Sequence, residues 1–86
     1  MARALTIRRS IVPIADRKKF LQKVKARRTY YLSASCKFWM FEESDLSGAF
    51  VEFIEADDPK TLAKALAESP DQPAEAVRIY EEVDVD

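Results

Sequence analysis

The segment 36–56 constrains the fold most, because it reads as two adjacent strands with large apolar side chains on both faces. Its sequence is Cys-Lys-Phe-Trp-Met-Phe-Glu-Glu, then Ser-Asp-Leu-Ser-Gly, then Ala-Phe-Val-Glu-Phe-Ile-Glu-Ala. Side chains alternate along a strand, so Phe38 and Met40 share one face while Trp39 and Phe41 share the other. A sheet with one wet face alternates apolar and polar residues. This hairpin does not, and both of its faces are predicted to be covered.

Weaker patterns predict two elements before the hairpin. Residues 5–14 alternate as a strand, and Pro13 ends it because proline cannot donate to a ladder. Asp16 is typical of a helix start, and apolar residues then recur at helical spacing over about 16–32. Gly48 is predicted to close the hairpin loop.

Two further elements follow the hairpin. Asp57-Asp58-Pro59 is a strong helix start, with an Asp cap and a proline in the first turn. This helix is predicted to end near 69–70, before a loop at 71–73. Residues 77–83 then alternate as a last strand.

The resulting order, β-α-β-β-α-β, predicts an α+β fold of the ferredoxin-like type in a single domain, residues 1–86. Its four antiparallel strands lie in the order 4-1-3-2, with both helices on one face. A chain of this size can cover one face of the sheet with its own helices. We expect the other face to contact a second copy, because a small domain gains stability from association.

Choosing the more apolar parity of each strand predicts which residues the helices cover. The covered set is predicted to be Leu5, Ile7, Ile11, Val51, Phe53, Val77 and Ile79. The uncovered set is predicted to be Thr6, Arg8, Ser10, Phe50, Glu52, Ile54, Arg78 and Tyr80. The first hairpin strand has no more apolar parity, and we assign Trp39 and Phe41 to the uncovered face.

Charge is separated along the chain. Residues 1–37 carry a net charge of +10 and residues 38–86 a net charge of −11. The outer surface of the first helix is predicted to carry Arg17, Lys18, Lys19, Lys23, Lys25, Arg27 and Arg28. We favour neutralisation within the fold, or across a dimer, over nucleic-acid binding, because the acidic half would repel phosphate.

Composition excludes several kinds of chemistry. The chain has no His and no Asn, so imidazole ligation of haem and a Ser-His-Asp or Cys-His nucleophile are excluded. No cofactor and no metal site are predicted, although a carboxylate-only magnesium or calcium site stays open. One cysteine, Cys36, allows no intrachain disulfide and suits the cytoplasm; we interpret it as a buried filler. No apolar run approaches the ~20 residues of a membrane span.

The predicted uncovered face supplies the candidate site. Arg8 or Arg78 would bind an anionic group, with Ser10 beside them. Apolar walls would come from Trp39, Phe41 and Phe50. A few polar groups in an apolar surround are typical of small-ligand pockets. The alternative is a satisfied charge cluster within a dimer interface.

Two residues of the same face are candidate catalytic groups. Glu52 would act as a base if burial raised its pKa, and Tyr80 could donate a proton. A third class of function, an interaction module without small-molecule chemistry, also fits the pattern.

With these elements the chain resembles the dimeric α+β-barrel superfamily over about residues 4–83, and loosely its antibiotic-biosynthesis-monooxygenase-like branch. The resemblance rests on the element order, the Phe20-Leu21-x-x-Val24 helix, the strands 36–41 and 48–53, and the Asp58-Pro59 helix start.

The resemblance implies a homodimer whose sheets face each other around a cleft for small, often aromatic, molecules. Some members are cofactor-independent monooxygenases or isomerases, and some degrade haem. The His, or the Asn with a Trp, of haem-degrading members is missing here. We therefore predict a homodimeric small-molecule-binding domain, with such an enzyme as the alternative.

Overall fold

A computed structural model describes residues 2–72 and 77–86 of the chain. These residues form a four-stranded sheet and two helices. The elements are β1 (Ala4–Ile11), a 3₁₀ turn (Ile14–Asp16), α1 (Arg17–Ser33), β2 (Lys37–Glu42), β3 (Ala49–Ala56), α2 (Pro59–Ala67) and β4 (Tyr80–Glu81).

The strands lie in the order β2-β3-β1-β4, and all neighbouring pairs are antiparallel. The predicted α+β ferredoxin-like architecture and its strand order are therefore confirmed. β4 is shorter than predicted, because only Tyr80 and Glu81 pair with β1. Residues 77–79 run beside the sheet without ladder pairing, and the Thr6 hydroxyl donates to the Arg78 carbonyl at 2.9 Å. Pro73, in the predicted loop, lies outside the described residues.

α1 faces the sheet with a stripe of residues three and four positions apart. Val24, Arg27 and Tyr31 are buried, and the Phe20 ring stacks on Phe50 with centroids 5.1 Å apart. The helix begins one residue later than predicted. Asp16 occupies the cap position, but its side chain makes no capping hydrogen bond.

α2 starts as the sequence predicts. The Asp58 carboxylate accepts a hydrogen bond from the Thr61 N–H at 2.8 Å, and Pro59 takes the first helical position. That N–H lowers the pKa of Asp58, as expected of a cap that stabilises the ionised form. Leu62 and Ala65 are buried against the sheet. None of the helices in residues 2–72 and 77–86 is long and apolar enough to cross a membrane.

Gly48 closes the hairpin for a steric reason. Its φ is +90°, and a Cβ there would overlap the carbonyl oxygen of Val12. The Gly48 N–H donates to the Glu42 carboxylate at 2.8 Å, and its carbonyl accepts from the Val12 N–H. The turn therefore ties the hairpin to the end of β1.

The parity predicted for β1 and β3 is wrong. In the structure Thr6 lies opposite Ile54, Arg8 opposite Glu52 and Ser10 opposite Phe50, and these residues are on the side that the helices cover. The covered residues of the two strands are Ala4, Thr6, Arg8, Ser10, Phe50, Glu52, Ile54 and Ala56. Those left uncovered include Leu5, Ile7, Ile11, Val51 and Phe53.

The reversal has a physical reason. α2 packs its narrow stripe on small residues, Ala4 and Ala56, which belong to one buried cluster with Leu62. Under α1 the covered face carries Glu52, whose charge Arg27 balances. The helices therefore select the face that offers close approach and a charge partner, and not the more apolar one.

Candidate functional site

The uncovered side of the sheet presents a broad apolar surface, called here the open face. Its residues come from all four strands and are Leu5, Ile7, Arg9, Ile11, Lys37, Trp39, Phe41, Val51, Phe53, Glu55 and Tyr80. Alternation places every second residue of each strand on this side. The described residues of the chain place no helix over it.

Large side chains of the open face reach solvent. Ile7 is 44% exposed, Trp39 41%, Phe41 58% and Ile11 61%. The Phe41 and Phe53 rings meet edge to face, with centroids 5.6 Å apart and planes at 78°. An apolar surface of this extent is typical of an interaction site, because soluble monomers rarely expose contiguous apolar patches.

Charged side chains of both signs border the open face. The Arg9 guanidinium contacts Glu43 at 2.6 Å, and Arg3 contacts Glu55 at 3.4 Å. Lys37 adds one further positive charge. The border is close to neutral, so two such faces can meet without strong repulsion.

A buried ion cluster lies on the other side of the same sheet. Arg27 donates to both Glu52 oxygens, at 2.9 and 3.2 Å, and its side chain is 4% exposed against 1% for Glu52. Arg27 also contacts Asp71 at 3.1 Å. Arg8 lies opposite Glu52 in the β1–β3 register.

Burial raises the pKa of Glu52, and its loss of hydration outweighs the attraction of Arg27 and Arg8. A raised carboxyl pKa is a property of many general bases. Here, however, both oxygens accept hydrogen bonds from Arg27. The cluster therefore holds α1 to the sheet.

The structure separates the residues that the sequence assigned to one site. Trp39, Phe41 and Tyr80 lie on the open face, as predicted. Arg8, Ser10, Phe50 and Glu52 lie on the covered side. Arg78 is exposed beside β1. Glu52 and Tyr80 are on opposite sides of the sheet, so they cannot serve one substrate together.

Sequence reasoning missed Arg27 and Arg9. Arg27 was predicted to lie on the outer surface of α1, but it is buried. Its signal was present, since it lies between Val24 and Tyr31 in the helical spacing of the apolar stripe. Arg9 was assigned no role, because the parity of its strand was read in reverse.

Charge neutralisation within the fold is confirmed for the pairs that form. Each ion pair among residues 2–72 and 77–86 joins a base of residues 1–37 to an acid of residues 38–86. Arg17 and Glu42 form one such pair at 2.8 Å. The hydrogen bonds that Glu42 accepts from Arg17 and from the Gly48 N–H lower its pKa to about 2.

Cys36 is buried, and burial raises the pKa of its thiol, which agrees with its predicted role as a filler. The described part of the chain holds no group of three or more acidic or cysteine residues that could bind a metal ion.

Solved structures share this fold at low sequence identity. A protein described as "Putative antibiotic biosynthesis monooxygenase from Nitrosomonas europaea" aligns with a TM-score of 0.71 and 14% identity, over 96% of this chain and 90% of its own. A conserved protein from Methanosarcina mazei Go1 aligns at 0.73 and 12%, over 95% and 92%.

A third structure, Rv0793 from Mycobacterium tuberculosis, has a TM-score of 0.62 and 15% identity over 100% of this chain and 97% of its own. No family model and no curated protein matches the sequence. These similarities confirm the fold predicted from the element order. They carry no catalytic residue over to this chain, since fold alone does not establish function.

Proposed function

We propose that this chain is a homodimeric domain that pairs through the open face and binds a small organic molecule between the two sheets. The observation that supports it is the contiguous apolar surface of Ile7, Trp39, Phe41 and Phe53 on the side of the sheet without helices. Covering that surface with a second copy would remove it from water, at about 25 cal/mol for each Å².

The ligand class follows from the chemistry of the open face. Trp39, Phe41 and Phe53 supply aromatic walls, and Tyr80 offers a hydroxyl. Arg9 replaces Arg8 as the candidate cation, because it is the arginine of β1 that lies on this side. A small aromatic anion therefore fits the face best. The name of one fold neighbour refers to antibiotic biosynthesis, which supports a small organic molecule as ligand.

Sedimentation and fluorescence test the dimer. Trp39 is the only tryptophan, so its emission reports on this face directly. We expect the wild-type chain to be a dimer. Phe41→Glu should be a monomer whose Trp39 emission is shifted to the red of the wild type. Leu46→Glu is the matched control, because Leu46 is 48% exposed in the hairpin loop. A wild-type monomer at every concentration would contradict the proposal.

The ligand is tested separately by thermal shift with a panel of aromatic carboxylic acids. We expect stabilisation and Trp39 quenching that Arg9→Ala weakens, while Lys60→Ala on α2 changes neither. A dimer that responds to none of these acids would leave pairing as the function of the open face.

A further inference from the structure

A groove follows the outer side of α1 toward the edge of the sheet. It consists of two hollows, of about 590 and 350 Å³, that share Leu21 and Lys25. We call them together the α1 groove. Leu21, Val24, Phe38 and Met40 give it an apolar floor, and the exposed Ile14 lies at one end.

The border of the α1 groove is basic. Arg17, Lys18, Lys25 and Arg28 line it, and none of its lining residues is acidic. Arg17 pairs with Glu42, whereas Lys18, Lys25 and Arg28 form no ion pair with the described acids. An apolar floor between cations suits an acidic segment that also carries aliphatic side chains.

The same chain contains a segment of that chemistry. Residues 81–86, called here the acidic segment, read Glu-Glu-Val-Asp-Val-Asp. Val83 is 76% exposed and Val85 is 93% exposed. Glu82 is held by Arg3, through a backbone bond at 2.8 Å and an ion pair at 2.7 Å. Beyond Glu82 the described contacts are internal to the segment.

The charged residues that form no ion pair with the described residues connect the groove and the segment. The ion pairs among the described residues include neither Lys18, Lys25 and Arg28 on the outer side of α1 nor Asp84 and Asp86 after Glu82. Asp57 and Asp58 are outside these pairs too, but Asp58 caps α2. The α1 groove and the acidic segment are therefore complementary in charge, and both offer apolar side chains.

The acidic segment cannot reach the groove of its own chain. β4 and β2 are the two edges of the sheet, three strand spacings or about 14 Å apart. Phe38 in the groove lies level with Thr6, so it is also about 10 Å along the strands from Arg3, beside which Glu82 lies. The two offsets together are about 17 Å. The four residues after Glu82 extend at most about 14 Å. They also leave the sheet at the Ala4 end, whereas the Ile14 end of the groove is at the other end of β1.

We propose that the α1 groove receives the acidic segment of a second copy of this chain. An extended segment directs Val83 and Val85 to one side, onto the apolar floor. Asp84 and Asp86 then face the other side, where the long lysine side chains of the border reach them. The contact uses the helical side of the sheet and not the open face.

Disulfide trapping between full-length chains tests this contact. One population carries Gln22→Cys in the groove and a mass tag, the other carries Val85→Cys, and both keep the buried Cys36. We expect the mixed 22–85 disulfide to form faster than the pair of Val85→Cys with Lys64→Cys, a control on α2 that is also exposed. Equal rates for the two positions would overturn the proposal.

A chain carrying both Gln22→Cys and Val85→Cys tests the donor. We expect covalent dimers or longer species, and an internal disulfide in a monomer would overturn the assignment to a second copy.

The charges of the border are tested in the Gln22→Cys chain. Lys18→Glu with Lys25→Glu should slow the mixed disulfide by about tenfold, since the change removes two exposed ion pairs and each is worth up to about fivefold. Lys60→Glu with Lys64→Glu is the matched control on α2 and should leave the rate unchanged; if it slows the reaction as much, the contact is only general attraction and the proposal fails. Phe41→Glu should leave the rate unchanged, so the open-face dimer and the groove contact fail separately.

Discussion

In most small domains the helices cover the more apolar face of the sheet. In this sheet they cover the more polar face of β1 and β3. The face under the helices carries Thr6, Arg8 and Glu52, while the face without helices carries Ile7, Trp39 and Phe53. The covered face satisfies its polar groups: Glu52 has Arg27, and Thr6 has the Arg78 carbonyl. Burial is therefore decided by available partners as well as by hydrophobicity, and the apolar residues left uncovered form the open face that we propose as a binding surface.

The largest effect is expected where the covered face is most polar. Arg27→Met leaves a buried carboxylate without its partner, which costs about 3–5 kcal/mol of unfolding free energy. Urea unfolding measures it. Arg9→Ala, which breaks an exposed pair bordering the open face, is the control and should change stability very little.

The double variant Arg27→Met/Glu52→Leu sharpens this test. Replacing both charges with apolar side chains removes the uncompensated charge, so most of the lost stability should return. If the double variant is as unstable as Arg27→Met, the ion pair contributes more than charge balance to the covered face.

Neighbouring residues of β1 offer a smaller, matched comparison. Thr6→Val keeps the shape of a side chain that is 1% exposed but leaves the Arg78 carbonyl without its donor, which should cost about 1 kcal/mol. Ile7→Thr, one position along and on the open face, should change the stability of the dilute monomer by less than about 0.5 kcal/mol. Instead it should weaken the proposed dimer. Equal destabilisation of the monomer would contradict the assignment of the faces.

The smallest effects concern pH, and two glutamates should show opposite signs. The pKa of Glu42 falls from its ordinary 4.5 to about 2 in the fold. Its stabilising contribution is therefore present above about 4.5 and is lost as pH falls toward about 2. The pKa of Glu52 is raised, so its charge opposes folding above the raised pKa, and this opposition is relieved as pH falls toward 4.5.

Unfolding curves of Glu42→Gln and Glu52→Gln across this pH range separate the two contributions. Glu42→Gln should make stability less sensitive to acid, and Glu52→Gln should make it more sensitive. The same direction of change in both variants would contradict the raised pKa of Glu52.

Much of the fold could be predicted because its signals are local. Asp58 and Pro59 mark the start of α2. Gly48 marks the hairpin turn, because its φ of +90° is one that glycine adopts easily. Together with the length of each apolar run, such signals give the order of elements, and the crossover rules then give the strand order.

The candidate site could be predicted only in part, because its residues depend on contacts far apart in sequence. Trp39, Phe41 and Tyr80 were assigned to the correct face, whereas Arg8, Ser10, Phe50 and Glu52 were not. The reason is Arg27: it comes from α1, 25 positions before Glu52. Without knowledge of that partner, the sequence predicts that the side of β3 that carries Glu52 is not covered by the helices.

The sequence by itself determined which segments become strands and helices, how the strands are ordered, and that the hairpin 36–56 carries large apolar side chains on both faces. Only the tertiary structure decided which face receives the helices. The physical reason is that alternation within a strand is symmetric: it divides residues into two sets without saying which set is buried. That choice rests on the small residues under α2 and on the Arg27–Glu52 pair, which exist only once the helices are in place.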